Sequence, residues 1–416
     1  MMRIKAVLIC SVAVGGAAVA YAGAAQNMII INGAHDVDGR AGADSTRVAL
    51  TLDALGSTDP VLCDMIGDQL GNFWWGGERG SLGRFGDSRP GVRAAKDSLA
   101  GTISDPAALN LLIASLDAEN PCVRRVAGKM LGNSAIASDR MAHLLASSSP
   151  RIREAAAFAA GVDERPELRA ALERGLGDDD ANVATMMAWS LGQIEDPASV
   201  TPLTRVLRSK DQRLRLAAVW ALGQIEDQRS TADVIPMLSD ADEMVRAAAA
   251  DALGGIEDRR ATAALVAVLR DASVYVRLAA AEALGSIQDP AALDALAKAI
   301  DDDDLQVRRA AVQAVGNLDN ITRAPESLVR ALSSSDTELR TAAAHALGRI
   351  ADPATTSALI GLLGDKNREI RLAAVEGLSE IAAPAVITGL MRALEDKDPE
   401  VRRAAADALG QFKEDK

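Results

Sequence analysis

The chain has 416 residues, of which 49% are hydrophobic but only 2% aromatic, and a formal charge of −13. An interior drawn from that palette is built of Ala, Leu, Val and Ile, side chains small enough for helices to approach closely. The acidic balance excludes nucleic acid as a partner, because binders of phosphate backbones gain affinity by replacing counterions with Lys and Arg.

The N-terminus reads as an export signal. Met1-Met2-Arg3-Ile4-Lys5 is basic, Ala6 to Val19 is apolar apart from Gly15-Gly16, and Ala20-Tyr21-Ala22 supplies small residues for cleavage after Ala22. The apolar run is shorter than the roughly 20 residues of a spanning helix, and no other segment could cross a bilayer, so no membrane insertion is expected after cleavage. The mature chain is expected in the periplasm or outside the cell, with a charge of −15 once Arg3 and Lys5 are removed.

Residues 23–43 are rich in Gly, Ala and Asp and are expected to be loose, and 44–91 form a divergent N-terminal capping repeat. Within it, Ser45 to Gly56 looks like a helix, and residues 71–86 add an insertion containing Phe73-Trp74-Trp75-Gly76-Gly77 and Phe85-Gly86. Long loops in repeat arrays often carry function, which makes Trp74 and Trp75 candidate anchors for a partner; the alternative is that these rings fold back to seal the cap. The glycine spacing fits neither a Walker loop nor a dinucleotide fingerprint.

From residue 92 to 416 one phrase recurs. Val401-Arg402-Arg403-Ala404-Ala405-Ala406-Asp407-Ala408-Leu409-Gly410 is nearly restated at Val276 to Gly285, Val245 to Gly254, Leu214 to Gly223 and Leu339 to Gly348. Anchored on the arginine, the copies fall at Arg93, Arg124, Arg153, Ala184, Arg215, Arg246, Arg277, Arg308, Arg340, Arg371 and Arg402, at intervals of 29 to 32 residues. A fixed period of this length denotes units that cannot bury their apolar faces alone and share a continuous core, so one elongated array is expected. In one unit Asp289 caps a first helix with Pro290 at its first position, and Leu293, Leu296, Ala297 and Ile300 share a face. The acidic turn Asp301 to Asp304 then leads into a second helix whose stripe is Val307, Ala310, Ala311, Ala314, Val315 and Leu318, with Gly316 expected at its closing turn. The arginine after the leading Val is expected to bond an acidic residue of the adjacent unit.

These residues, Asp-Pro-Ala-Ala-Leu followed by Val-Arg-x-Ala-Ala-x-x-Ala-Leu-Gly-x-Ile, resemble HEAT-repeat proteins of the short-unit type also found in phycobilisome lyases. The resemblance implies an all-α solenoid, a right-handed superhelix of antiparallel helix pairs with the second helices lining its concave side. It does not imply one function. HEAT-type hydroxylases carry paired His-Glu dipeptides for two irons, and this sequence contains none.

Six residues after the leading aliphatic of each second helix stand Ser98, Lys129, Phe158, Trp189, Trp220, Asp251, Glu282, Gln313, His345, Glu376 and Asp407. That column is not apolar overall, so it is expected to face out of the core and, under the resemblance, to line the groove. Positions four residues either side share the face, which adds Thr185 and Gln193 around Trp189, and Leu216 and Gln224 around Trp220. An aromatic patch at Phe158, Trp189 and Trp220 followed by Asp251, Glu282, Glu376 and Asp407 would suit a protein or peptide with a basic segment. The bland reading is that these rings cover alanine-rich helix surface.

Catalysis and metals find little support. His35, His143 and His345 are far apart in the repeat order, and no set of nucleophile, base and orienting group can be drawn. Asp36-Val37-Asp38-Gly39 and Asp301 to Asp304 lack the remaining ligands of a calcium loop. No cofactor is expected. Whether Cys63 and Cys122 pair is left open, although their places at the starts of oppositely directed helices favour separate thiols. The function expected is a non-catalytic protein-interaction scaffold, the alternatives being a chromophore-handling lyase subunit and a sensor for a membrane peptidase.

Overall fold

The computed structural model describes residues 103–414, preceded by Ser45, Val48, Ala49 and Leu52. Those four are helical with Val48 and Leu52 buried. Residues 1–22, expected to be a signal peptide, the segment 23–43, the insertion with Trp74 and Trp75, and Cys63 lie outside the described residues.

The Asp-Pro starts work as caps; Asp105 caps an α-helix that begins at Pro106, whereas three others open more tightly than the sequence suggests. Asp196, Asp289 and Asp352 accept from the backbone N–H two residues on, and the first turn is 3₁₀ (Pro197–Ser199, Pro290–Ala292, Pro353–Thr355) before the α-helix begins. Two compact units divide between Ile194 and Glu195. In the first, α1 (Pro106–Ser115), α3 (Ser138–Leu145) and α5 (Arg169–Gly175) alternate with α2 (Pro121–Gly132), α4 (Pro150–Val162) and α6 (Ala181–Ile194). In the second, the first helices are α7 (Val200–Val206), α9 (Thr231–Val234), α11 (Thr262–Val268), α13 (Leu293–Ala299), α15 (Glu326–Ala331), α17 (Thr356–Leu362) and α19 (Pro384–Ala393). Their partners are α8 (Gln212–Ile225), α10 (Glu243–Ile256), α12 (Val274–Ile287), α14 (Leu305–Asn317), α16 (Thr337–Ile350), α18 (Arg368–Ser379) and α20 (Pro399–Glu414). Within each unit successive second helices pack on one another, and each first helix packs on its own second helix, giving the α-solenoid arrangement.

The second helices approach through glycine. A Cβ at Gly223 would lie 2.8 Å from the Cα of Ala252, one at Gly254 2.8 Å from the Cα of Ala283, and one at Gly348 2.6 Å from the Cα of Gly377. Gly316, expected at the closing turn and found there as the last residue but one of α14, makes the same approach, with Ala346 Cα at 2.9 Å. The left-handed closing position falls instead on Glu226, Glu257, Gln288 and Ala351, three residues after the contact glycines. The glycine is used where backbone meets backbone, and the chain accepts left-handed strain at a non-glycine residue.

A ladder of ion pairs joins units that are neighbours in sequence. Arg215 donates to both carboxylate oxygens of Asp240 at 2.7 and 2.8 Å, and to the carbonyl of Ser209. Arg246 repeats this on Asp271, Arg277 on Asp302, Arg371 on Asp396 and, in the first unit, Arg153 on Asp178. The expected arginine link is thus present, in the bidentate geometry that makes such pairs strong. A second set of carboxylates ties the first helices: Asp258 caps Arg260 N–H, accepts from the Arg260 guanidinium and takes the Thr231 hydroxyl of the preceding unit at 2.8 Å. Cys122 is disulfide-bonded, which corrects the expectation of a free thiol there, and its partner lies outside the described residues.

Two measurements check this packing. Gly254→Ala is expected to lower the denaturant midpoint by an amount equivalent to about 1–2 kcal/mol, because the new methyl must push α10 and α12 apart. Gly410→Ala, where a Cβ meets nothing within 4 Å, should instead stabilise by about 0.5–1 kcal/mol through helix propensity. The Arg260 and Thr231 hydrogen bonds hold the Asp258 carboxyl well down, at about 2 against an ordinary 3.8. Its contribution is therefore complete above the ordinary value and is lost as pH falls towards about 2. Asp258→Asn should lower stability at pH 7 and flatten the acid limb of a circular-dichroism titration, and an acid limb identical to the parent's would contradict the assignment.

Candidate groove along the second helices

The column chosen from sequence splits into two parts. In the first unit Phe158 and Trp189 are each only 6% exposed, which overturns the expectation that they face water. Their rings stack at 5.6 Å between centroids with 27° between planes. Each fills a gap left by a glycine on the preceding second helix: a Cβ at Gly128 would lie 3.3 Å from Phe158 Cδ1, and one at Gly161 2.6 Å from Trp189 Cζ3. A ring that finds such a gap buries area that it would otherwise leave in water. Thr185 and Gln193, on the same helix, are half-buried, and the Thr185 hydroxyl is buried without a hydrogen-bond partner among the described residues.

In the second unit the column does open to solvent. Leu216, Trp220, Gln224 and Asp251 are half-buried, whereas Glu282, Gln313, His345, Glu376 and Asp407 are exposed. Gln313, Asn317, Thr341, His345, Arg349 and Glu376 line a cleft of about 880 Å³ across α14, α16 and α18. These six are column members and positions four residues either side of it, and Thr337, Glu338, Ala342 and Glu369, from other positions, complete the lining. His345 Nε2 lies 3.2 Å from Glu376 Oε2. Asn317 and Arg349 were not singled out from sequence, although they occupy the same register as Gln193 and Gln224.

Glu282 carries the electrostatic mark of this face. Its side chain is exposed, yet burial by surrounding protein, with the neighbouring charge of Asp251, pushes its carboxyl up to about 6 from an ordinary 4.5. Access from one side with protein on the others reconciles the two. The folded protein therefore holds this proton more tightly than the unfolded chain does, so stability falls as pH rises from about 4.5 through about 6, and the deficit persists above that window. Glu282→Gln is expected to remove this fall and raise the denaturation midpoint at pH 7 relative to the parent, while leaving it unchanged at pH 4.

Among the described residues no helix is long and apolar enough to cross a membrane, and no group of three or more His, Cys, Asp or Glu could hold a metal ion. No curated protein sequence matches the chain. Among solved structures, the chain is similar to Kap95p in its complex with RanGDP, with a TM-score of 0.52 and 15% identity over 93% of this chain and 60% of that one. An engineered protein matches with a TM-score of 0.49 and 23% identity, over 73% of this chain and 98% of that one. The complex of CpcE and CpcF of phycocyanin lyase from Nostoc sp. PCC7120 matches at 0.36 and 25%, over 54% and 92%. The HEAT repeats family matches in overlapping windows at residues 137–223, 200–274, 231–316, 262–348, 304–370 and 357–416. Period, helix pairing and family match agree, and the chain belongs to the HEAT-repeat family.

Proposed function

We propose that this HEAT-repeat chain is an exported, non-catalytic scaffold that binds a protein or peptide bearing a basic segment along the second-helix face of residues 195–416. The observation that carries the reading is the solvent-exposed series Glu282, Gln313, His345, Glu376 and Asp407, one per unit on successive second helices. The carboxylates Asp251, Glu282, Glu376 and Asp407, with Gln313 and His345 between them on a close-packed support, suit an extended cationic chain, which they steer at long range. Glu282 strengthens the case, since a cation beside it would relieve the unfavourable charge that desolvation imposes. Half-buried Trp220 and Leu216 supply apolar area next to the acidic series. Export is supported by the basic, apolar and small-residue order of residues 1–22 and by the disulfide at Cys122, since such bonds persist in oxidising compartments.

Fluorescence anisotropy with labelled Lys- and Arg-rich peptides tests the reading. Binding is expected to weaken with added salt, and the pair Glu282→Lys with Glu376→Lys to weaken it by about tenfold or more, with the melting curve preserved. Equal affinity for the parent and the charge-reversed protein would count against the acidic face. A new visible absorption band on titration with a tetrapyrrole would favour the lyase alternative.

A further inference from the structure

One position near the start of the second helices is polar in most units. The residue just before the leading aliphatic reads Arg151, Asn182, Arg213, Gln306, Glu338 and Glu369, all exposed. On α10 and α12 it reads Met244 and Tyr275, 40% and 46% exposed, with Val274 beside the tyrosine at 36%. Among the described residues between 103 and 383, these three are the large apolar side chains left exposed. α10 and α12 pack directly on each other through Gly254 and Ala283, so equivalent positions are neighbours and the three side chains form one patch. A contiguous apolar patch marks a contact surface in a way that scattered single residues do not.

The patch lies on the same face as the acidic column. Two helical turns separate Met244 from Asp251 and Tyr275 from Glu282, which returns the side chain to nearly the same direction. The equivalents Glu338 and Glu369 line the cleft together with His345 and Glu376, so this position and the column open to one side. Along the helix axis the two are about 10 Å apart. The charge around the patch is one-sided. Glu243 is exposed beside Met244, whereas the arginines of this stretch are engaged, Arg246 with Asp271, Arg277 with Asp302 and Arg213 with Asp211.

We propose that the basic segment held along this face also carries a large apolar side chain, which seats on Met244, Val274 and Tyr275 while a nearby Lys or Arg reaches Asp251 and Glu282; this inference rests on the acidic-face function proposed above. Apolar area alone would also suit a lipid surface or a second copy of the chain. The carboxylates decide between these occupants. A second copy, with its charge of −13, or an anionic membrane would bring like charge against Glu243, Asp251 and Glu282, whereas a cationic chain is attracted. About 10 Å is the reach of two to four residues of extended chain, so the apolar and basic residues are close neighbours in the partner's sequence. Tyrosine supplies a large anchor with few rotors to immobilise, and methionine adapts its shape to what it meets.

Fluorescence anisotropy on the full chain with three labelled peptides tests this: a Lys-rich peptide with leucine two to four residues from a lysine, the same peptide with serine for leucine, and the leucine peptide with glutamine for every lysine. The parent is expected to bind the first about tenfold more tightly than the second, and the third not measurably. Met244→Ser with Tyr275→Ser should erase the preference for leucine and leave the affinity for the serine peptide unchanged. The melting curve should also be unchanged, since both side chains are exposed and the cap bond at Met244 uses its backbone N–H. Equal affinity of the parent for the leucine and serine peptides overturns the inference while the acidic-face function stands. So does a preference that survives the double variant, which would move the apolar contact to Trp220 and Leu216. Undiminished binding of the uncharged peptide, or a parent dimer in sedimentation that the double variant dissociates, likewise overturns it. Failure of both Lys-rich peptides to bind removes the acidic-face function, and this inference with it.

Discussion

The structure depends on how closely successive second helices pack. Gly223 faces Ala252, Gly254 faces Ala283, Gly285 faces Ala314, and Gly348 faces Gly377, each so closely that a Cβ on the first residue would lie 3.0 Å or less from the second. Close-packed interiors yield little to an added methyl, so this contact fixes the separation between units. The low aromatic content follows from the same contact: at that separation Ala, Val and Leu fill the space. The fixed separation also lets an arginine at the start of one second helix reach an aspartate 25 residues later with two hydrogen bonds.

The ladder tolerates change because each aspartate does two things. Asp240 takes the Arg215 guanidinium and also accepts the backbone N–H of Asp242. Where the arginine is replaced by Ala184, the corresponding acceptor is Ser209, whose hydroxyl still accepts the N–H of Asp211. Ser334 likewise accepts from Asp336 N–H, while Arg308 donates to the carbonyls of Asp302 and Asp303. The turn is thus retained where the ion pair is not, which fits a scheme in which packing sets the spacing and partly buried charge pairs reinforce it.

Packing leaves one face of the second helices open in the C-terminal half. Once one side of a second helix meets the preceding helix, another the following helix and a third its own first helix, the column and its flanking positions remain for solvent. In the C-terminal half that column exposes Glu282, Gln313, His345, Glu376 and Asp407, of which Gln313, His345 and Glu376 line a cleft.

The period, the caps, the pairing of helices and the arginine link were legible in the sequence, because each rests on residues close together in the chain or on spacing repeated many times. Part of the cleft was legible too, since Gln313, His345 and Glu376 belong to the column read from the period, whereas Thr337, Glu338, Ala342 and Glu369 were not among the positions deduced. The sequence did not show which members of that column see water. Phe158 and Trp189 share their register with Glu282, yet Gly128 and Gly161 on the helix before them leave room for a ring. Nor did it show that Gly316 is also a contact between helices. Periodicity determines which way a side chain points, whereas its burial depends on the size of the residue opposite, on another helix one unit away, and only the folded array brings the two together.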